Sequence, residues 1–398
     1  MIAVTKSRPR WAIFCRVIDN FGDAGVCWRL AQQLAGQHRF AVDLFIDQVE
    51  IIERFGRYAQ YGAYDNTTLL RVLPWPSDCD SASLLNVPAL IPDLSADSSA
   101  DSSAVSPVHR PSNYEVIVAA FAVVLPASWL ALMVDRPVGS WFNLEYLSAE
   151  PWVAQCHLLN SIKPITGACE TFFFPGFETG TGGLLREPWI KAERTAPALV
   201  PNNKIQSTLT ISIFCYENVL LQQLLDQLEG CTVTVKLAAS GWVFTPSIRA
   251  DSTLTVEQLP FLSQAQYDQL LAQCDLNFVR GEDSLVRAIW SEKPFIWQIY
   301  QQDENAHLVK LEAFLATWCK SASTELKALV SSAHHWWNQT DQLGQGSTNE
   351  PTQSLIGDII AQLPVWSRHA KKRCGALSQA PDLCSALIDA SGIIKGLA

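Results

Sequence analysis

Between Cys274 and His307 the chain reads CDLNFVRGEDSLVRAIWSEKPFIWQIYQQDENAH, and its apolar positions change rhythm along the way. Leu276, Phe278 and Val279 form a short apolar run that predicts a strand; Leu285, Val286, Ile289 and Trp290 recur at helical spacing; Pro294 to Ile299 predicts a second strand. Arg280-Gly281-Glu282-Asp283-Ser284 is the polar turn between the first strand and the helix. The same rhythm appears earlier. Trp11 to Ile18 predicts a strand, Asp19 to Gly25 a polar turn, and Cys27, Leu30, Ala31 and Leu34 the buried stripe of a helix. A strand at Phe40 to Ile46, a helix near Glu50 to Tyr58 and strands at Leu69 to Leu73, Val116 to Val124 and Trp141 to Tyr146 follow. In the second half, strands are predicted at Leu209 to Tyr216, Cys231 to Leu237 and Leu254 to Leu259, with helices at Val219 to Leu228 and Ser263 to Cys274. This alternation is the mark of an α/β protein with parallel sheets.

The rhythm breaks in several places. Asp93 to Ser112, DLSADSSADSSAVSPVHRPS, cannot build a core and reads as a mobile insertion. Thr171 to Phe177, followed by Gly180, Gly182 and Gly183, reads as loop, and the charged, Pro-containing stretch Trp189 to Gln206 marks a domain boundary. The chain then divides into 1–188, 189–370 and a tail at 371–398. Beyond His307 it is expected to be helical to about Leu329, with Trp336-Trp337 in a loop and a last helix at Leu355 to Ala370. Val116 to Val134 is nineteen residues without a charge, long enough to cross a bilayer. Pro126 and Ser128 interrupt it, and its first half is β-branched and small, so a buried strand followed by a short helix is the reading preferred.

Composition narrows the class. A chain of 398 residues exceeds one ordinary core, and 48% apolar against 17% charged residues describes a globular protein. A net charge of −10 argues against a nucleic-acid partner and is compatible with a cationic one. Eleven cysteines, with no CxxC pair and no His cluster at zinc spacing, read as reduced thiols of a cytoplasmic protein with no metal site. Arg16 breaks the amino-terminal apolar run, which makes a poor signal peptide, so the sequons at Asn66 and Asn338 are expected to be idle.

Candidate chemistry collects at the turns. In parallel α/β sheets ligands bind at the carboxyl ends of strands, and the helix that follows offers unpaired N–H groups to an anion such as a diphosphate. Glu282, Asp283 and Ser284 suit that position, although helix capping would use the same residues. Asp19 and Asp23, four apart across their turn, are either an Asx-turn and an N-cap or a carboxylate pair for acid/base work or for gripping a cation. Phe214 and Tyr216 alternate to one face at a strand end, as core or as a base-stacking wall. Gln264 and Tyr267 open the helix before the Arg280 turn, where an amide can read a pyrimidine edge. Neither half carries GxGxxG, which counts against a dehydrogenase.

Two Rossmann-like domains with facing turns and a cleft between them, carboxylates on the first and a diphosphate-type turn on the second, is the layout of a GT-B glycosyltransferase. IFCRVIDNFGDAGVCWRLA, SIFCYEN and DLNFVRGEDSLVRAIWSEKPFIWQIYQQDENAH together resemble the EarP family of protein-arginine rhamnosyltransferases. The likeness runs over most of the chain, with the 93–112 stretch as an addition to the family pattern. It implies transfer of L-rhamnose from dTDP-β-L-rhamnose to an arginine of translation elongation factor P, with inversion and without metal or other cofactor; the interrupted 116–134 stretch separately argues against a membrane partner. The likeness also implies catalytic roles for Asp19, Asp23 and Glu282. Phe214 and Tyr216 would lie around the thymine, with Gln264 and Tyr267 nearby; Tyr267 stands where the family pattern has Phe. Asp283 and Ser284 would meet the diphosphate. A noncatalytic sugar-nucleotide sensor of the same fold is the alternative, and the carboxylate pair argues against it.

Overall fold

A computed structural model describes residues 8–18, 21–56, 69–76, 113–135, 139–164, 167–191, 208–339 and 354–393. The chain divides into two units, Met1–Pro188 with Pro381–Ala398, and Trp189–Ala380. The 93–112 stretch and most of the Trp189 to Gln206 stretch lie outside the described residues.

The first unit contains β1 (Arg10–Cys15), α1 (Gly22–Gly36), β2 (Ala41–Ile46), α2 (Val49–Phe55), β3 (Leu70–Pro74), β4 (Val116–Ala120), α3 (Ala127–Asp135), β5 (Ser140–Leu144), α4 (Val153–Cys156), β6 (Asn160–Ile162) and β7 (Cys169–Phe173). Its strands lie in the order β3-β2-β1-β4-β5-β7-β6, all parallel except β6 on β7. The order reverses between β1 and β4, the switch point where such sheets open a ligand crevice. Trp11 to Cys15 and Val116 to Ala119 are 0% exposed, as central strands covered on both faces must be. On one face Phe14, Ile117 and Ala119 pack with Trp129 and Met133 of α3. On the β2 flank the Asp43 carboxylate accepts hydrogen bonds from Arg71, Tyr114 and Arg10, gathering charges toward the amino-terminal edge, away from the crevice.

The charge-free stretch Val116 to Val134 becomes β4, a turn and the greater part of α3. Among the described residues no helix is long and apolar enough to cross a membrane. The expectation of loop from Thr171 needs correction. Cys169–Phe173 is a strand paired with β5 and β6, and the irregular chain begins only at Phe174. Three consecutive Phe show no alternation, so the strand owes its identity to its partners.

The second unit contains β8 (Leu209–Ile213), α5 (Leu220–Leu228), β9 (Val233–Ala238), β10 (Thr255–Leu259), α6 (Gln264–Gln273), β11 (Leu276–Arg280), α7 (Gly281–Ser291), β12 (Phe295–Gln298), α8 (Ala306–Trp318), α9 (Thr324–Trp337) and α10 (Ser354–Leu377). Its sheet is parallel throughout, in the order β10-β9-β8-β11-β12, with its switch point between β8 and β11. α5 buries Leu220, Leu221, Leu224, Leu225 and Leu228 as a single apolar stripe. α6 opens with a capping box in which Ser263 and Gln266 satisfy one another's backbone N–H groups.

Two expectations in this half also change. The helix after His307 breaks near Cys319 and restarts behind Ser323, whose hydroxyl accepts the Leu326 N–H at 3.2 Å. Trp336 and Trp337 therefore end a helix instead of marking a loop, and Trp337 is 0% exposed. The expected tail at 371–398 is helical as well. α10 continues to Leu377, and α11 (Leu383–Ser391) belongs to the first unit. There its Leu383, Cys384, Leu387 and Ile388 are buried, Leu383 N–H donates to the Leu184 carbonyl at 3.0 Å, and Asp382 accepts from Gln33 at 2.9 Å. The apolar face of this short segment had no period long enough to show that it packs elsewhere.

Candidate active site

In the second unit the functional candidates converge at the carboxyl edge of β8 and β11. Phe214 continues the ladder past β8, its N–H donating to the Phe278 carbonyl at 2.9 Å, and the Tyr216 N–H donates to Gln298 Oε1 at 2.9 Å. Cys215 between them turns into the core and is 1% exposed; burial pushes its thiol pKa up to about 12, so it stays protonated despite the nearby Arg280 charge. The two rings stand on the opposite side. Arg280, the last residue of β11, brings its guanidinium to 4.5 Å from the centroid of each ring. Phe214 also meets Tyr267 edge-on at 5.4 Å, and Tyr216 meets Tyr300 at 5.6 Å. A delocalised cation against two half-buried aromatic faces is a poor core and a good wall for a planar heterocycle with carbonyl acceptors.

The polar cluster after Arg280 is the helix itself. β11 passes into α7 without an intervening turn, because Arg280 is extended and Gly281 takes a left-handed φ of 63° that a side chain would oppose. The N-cap is Arg280, which makes no side-chain cap. Glu282, Asp283 and Ser284 therefore occupy the first turn, where an N-cap side chain does not belong. Glu282 Oε1 accepts from Lys310 Nζ at 3.1 Å. Gln264 and Ser284 are largely buried, and Tyr267 is raised in pKa, chiefly by burial, with its hydroxyl beside Ser284 but outside ordinary hydrogen-bond geometry.

A buried ion pair holds the two contributing helices together. Arg287 of α7 donates to both oxygens of Asp268 of α6 at 2.9 and 2.8 Å, with the side chains 0% and 2% exposed. This bidentate contact fixes the pitch of α6 against α7. It thereby sets Gln264 and Tyr267 relative to Asp283 and Ser284.

In the first unit Asp23 lies in the first turn of α1, 3% exposed, and its Oδ2 accepts the Ile18 N–H at 2.9 Å. That bond ties the loop after β1 back onto the helix start. The carboxylate thus sits beside the switch point between β1 and β4. Asp19 lies outside the described residues. The structure brings Phe214, Tyr216 and Tyr267 together at one sheet edge, beside the first turn of α7 with its Glu282, Asp283 and Ser284, and it places Asp23 at the equivalent edge of the other unit. Arg280 is the residue that sequence reasoning overlooked. Its signal was positional: a cation at the last place of a strand, directly before a glycine that starts a helix.

Comparison with known proteins identifies the family and the fold. The family described as Elongation-Factor P (EF-P) rhamnosyltransferase EarP matches residues 11–95 and 97–391. A protein-arginine rhamnosyltransferase of Pseudomonas putida is 36% identical over 96% of this chain and 98% of its own length. One from Shewanella oneidensis is 31% identical, covering 86% of this chain and 89% of its own. A solved structure concerned with EarP-mediated arginine glycosylation of translation elongation factor EF-P superposes with a TM-score of 0.57 at 25% identity, over 96% of this chain and 98% of its own. With two doubly wound α/β units of the GT-B type and a match that spans both, the chain belongs to the elongation factor P rhamnosyltransferase family, EarP, a family of glycosyltransferases.

Proposed function

We propose that this protein transfers L-rhamnose from dTDP-β-L-rhamnose to one arginine guanidinium of translation elongation factor P in the cytoplasm, inverting the anomeric carbon and using no metal. The observation that carries the reading is the Phe214–Arg280–Tyr216 cluster beside the amino terminus of α7. An aromatic and cationic wall suits thymine, and the helix amides suit the diphosphate next to it. Gln264 and Tyr267 complete the base site, while Asp283 and Ser284 line the diphosphate. Glu282, held by Lys310, orients the donor sugar.

The acceptor chemistry follows from arginine itself. A guanidinium with pKa above about 12 is a weak nucleophile until a base takes its proton. Asp19 and Asp23 grip it and aim one nitrogen at the anomeric carbon. As the N–C1 bond forms, the C1–O bond breaks, its electron pair passes to the diphosphate, and the nitrogen proton passes to Asp23. The departing charge is stabilised by the α7 amides and Arg280.

Intact mass of elongation factor P after incubation with the protein and dTDP-rhamnose tests this directly. The expected result is a gain of one deoxyhexose on a single arginine, undiminished by chelator. No gain, or a sugar on another residue type, would overturn the assignment, and loss of the gain with chelator alone would overturn the metal-free step.

A further inference from the structure

Directly after β4 the backbone does something unusual for its residues. Phe121 and Ala122 are both left-handed, with φ of 61° and 56°, and neither has the short polar side chain that eases this conformation. Such a pair persists only where its neighbours over-determine it. Phe121 N–H donates to the Leu144 carbonyl at 2.6 Å, and its ring stacks on Tyr146 at 4.6 Å and 20°. Ala122 N–H donates to Asn143 Oδ1 at 3.3 Å, while Asn143 Nδ2 donates to Glu145 Oε1 at 3.0 Å. One carboxamide, 6% exposed, therefore holds both the outward turn and an acidic side chain.

Beyond the turn Val123 and Leu125 pack against the core, and Val124 between them is left 76% exposed. Ile18, in the loop after β1, is 65% exposed. β1 and β4 are paired neighbours with Phe14 opposite Ala119, so these two loops leave strands about 5 Å apart on either side of the switch point. Ile18 is also the residue whose N–H is bonded to Asp23. Ile18 thus stands in solvent beside the Asp23 carboxylate and Val124 follows the neighbouring strand β4, with Glu145 directly after β5, the next strand across.

Resting on the function proposed above, we infer that Ile18, Val124 and Glu145 form the docking surface for the arginine-bearing loop of the protein acceptor. Asn143 acts as the positioning residue that sets both Val124 and Glu145. The apolar side chains take the segment flanking the arginine, and the acidic carboxylate complements the charge of a cationic loop. Contacts of this kind are made equally before and during sugar transfer, so they act on acceptor binding and leave the chemical step alone.

Two readouts on the full-length protein test this: steady-state turnover with elongation factor P, and direct calorimetric binding of the same factor. Ile18→Ser with Val124→Ser, and separately Glu145→Gln, are expected to raise acceptor KM and Kd roughly tenfold or more while kcat stays within about threefold of wild type. The affinity for dTDP and the melting temperature are expected to be unchanged. Asn143→Ala is expected to raise acceptor KM without lowering kcat in proportion. Acceptor KM and Kd within about twofold of wild type in the surface variants would overturn the docking surface. A lower melting temperature in Asn143→Ala with an unaltered KM would make that residue structural only. If the wild-type protein binds the factor without modifying it, the proposed function fails while the docking surface stands or falls on the binding ratios; if it neither binds nor modifies the factor, both fail.

Discussion

Replacing Asp268 by Asn leaves the fully buried Arg287 guanidinium facing an amide in place of a carboxylate. Both side chains are almost completely enclosed, and the pair makes two charge-assisted hydrogen bonds at 2.9 and 2.8 Å. Removing one partner of such a pair costs about 3–5 kcal/mol, because the remaining charge stays desolvated. Asn keeps the shape and one acceptor oxygen, which puts the expected loss near 3 kcal/mol, roughly a hundredfold in the ratio of folded to unfolded protein. Urea unfolding measures it, and at about 2–4 °C per kcal/mol the second unit would melt roughly 6–12 °C lower. Because the pair fixes α6 against α7, dTDP affinity should fall as well, at temperatures where the variant is still folded. The double variant Asp268→Leu with Arg287→Met removes both charges and should recover much of the stability. A loss below about 1 kcal/mol in Asp268→Asn would refute the reasoning, since it would mean that water reaches the guanidinium.

Phe214→Ala and Tyr216→Ala should each weaken dTDP binding by roughly 1–3 kcal/mol, the range of a lost base–aromatic stack; normal affinity in calorimetry with a lowered melting temperature would make the rings packing. Asp23→Asn retains an oxygen for the Ile18 N–H, so fold and dTDP affinity should survive while turnover falls roughly 10²–10⁴-fold; near-wild-type turnover would remove Asp23 as the base. His334 is 0% exposed and its pKa is lowered from 6.5 to about 4, chiefly by burial. A depressed histidine pKa means the unfolded chain takes up the proton first, so stability is full above pH 6.5 and declines as pH falls toward about 4, by roughly 3 kcal/mol in all. His334→Phe should flatten that part of the stability profile, and an unchanged slope in urea titrations between those pH values would assign the loss to other groups.

How much could be read before the structure was known depends on how local each cause is. β1 and β4 were legible because a strand buried on both faces must be apolar at every position, and that requirement is written in consecutive residues. α5 was legible because one buried stripe repeats every three or four residues. The helix start at Gly281 was legible as a place, since polar residues after a strand and a glycine gather there, and so the second unit's candidate site was located from a single contiguous stretch. Local patterns carry such information because the forces that create them act within one or two turns of chain.

The remaining features were decided by distant partners. Cys169–Phe173 is a strand because β5 offers it an edge, and the run of phenylalanines has no alternation to announce this. The segment after Ala380 joins the first unit because its few apolar residues find cover there, a choice made by the shape of a surface built from residues almost two hundred positions earlier. Arg280 acquires its place between Phe214 and Tyr216 only when β8 and β11 become neighbours, and Asp268 finds Arg287 only when α6 and α7 pack. By itself, then, the sequence determined the α/β rhythm, the turns at which chemistry would gather and the family to which the chain belongs. Only the tertiary structure decided which side chains face one another at those turns, because stacking and ion pairing depend on distances that chain order does not encode.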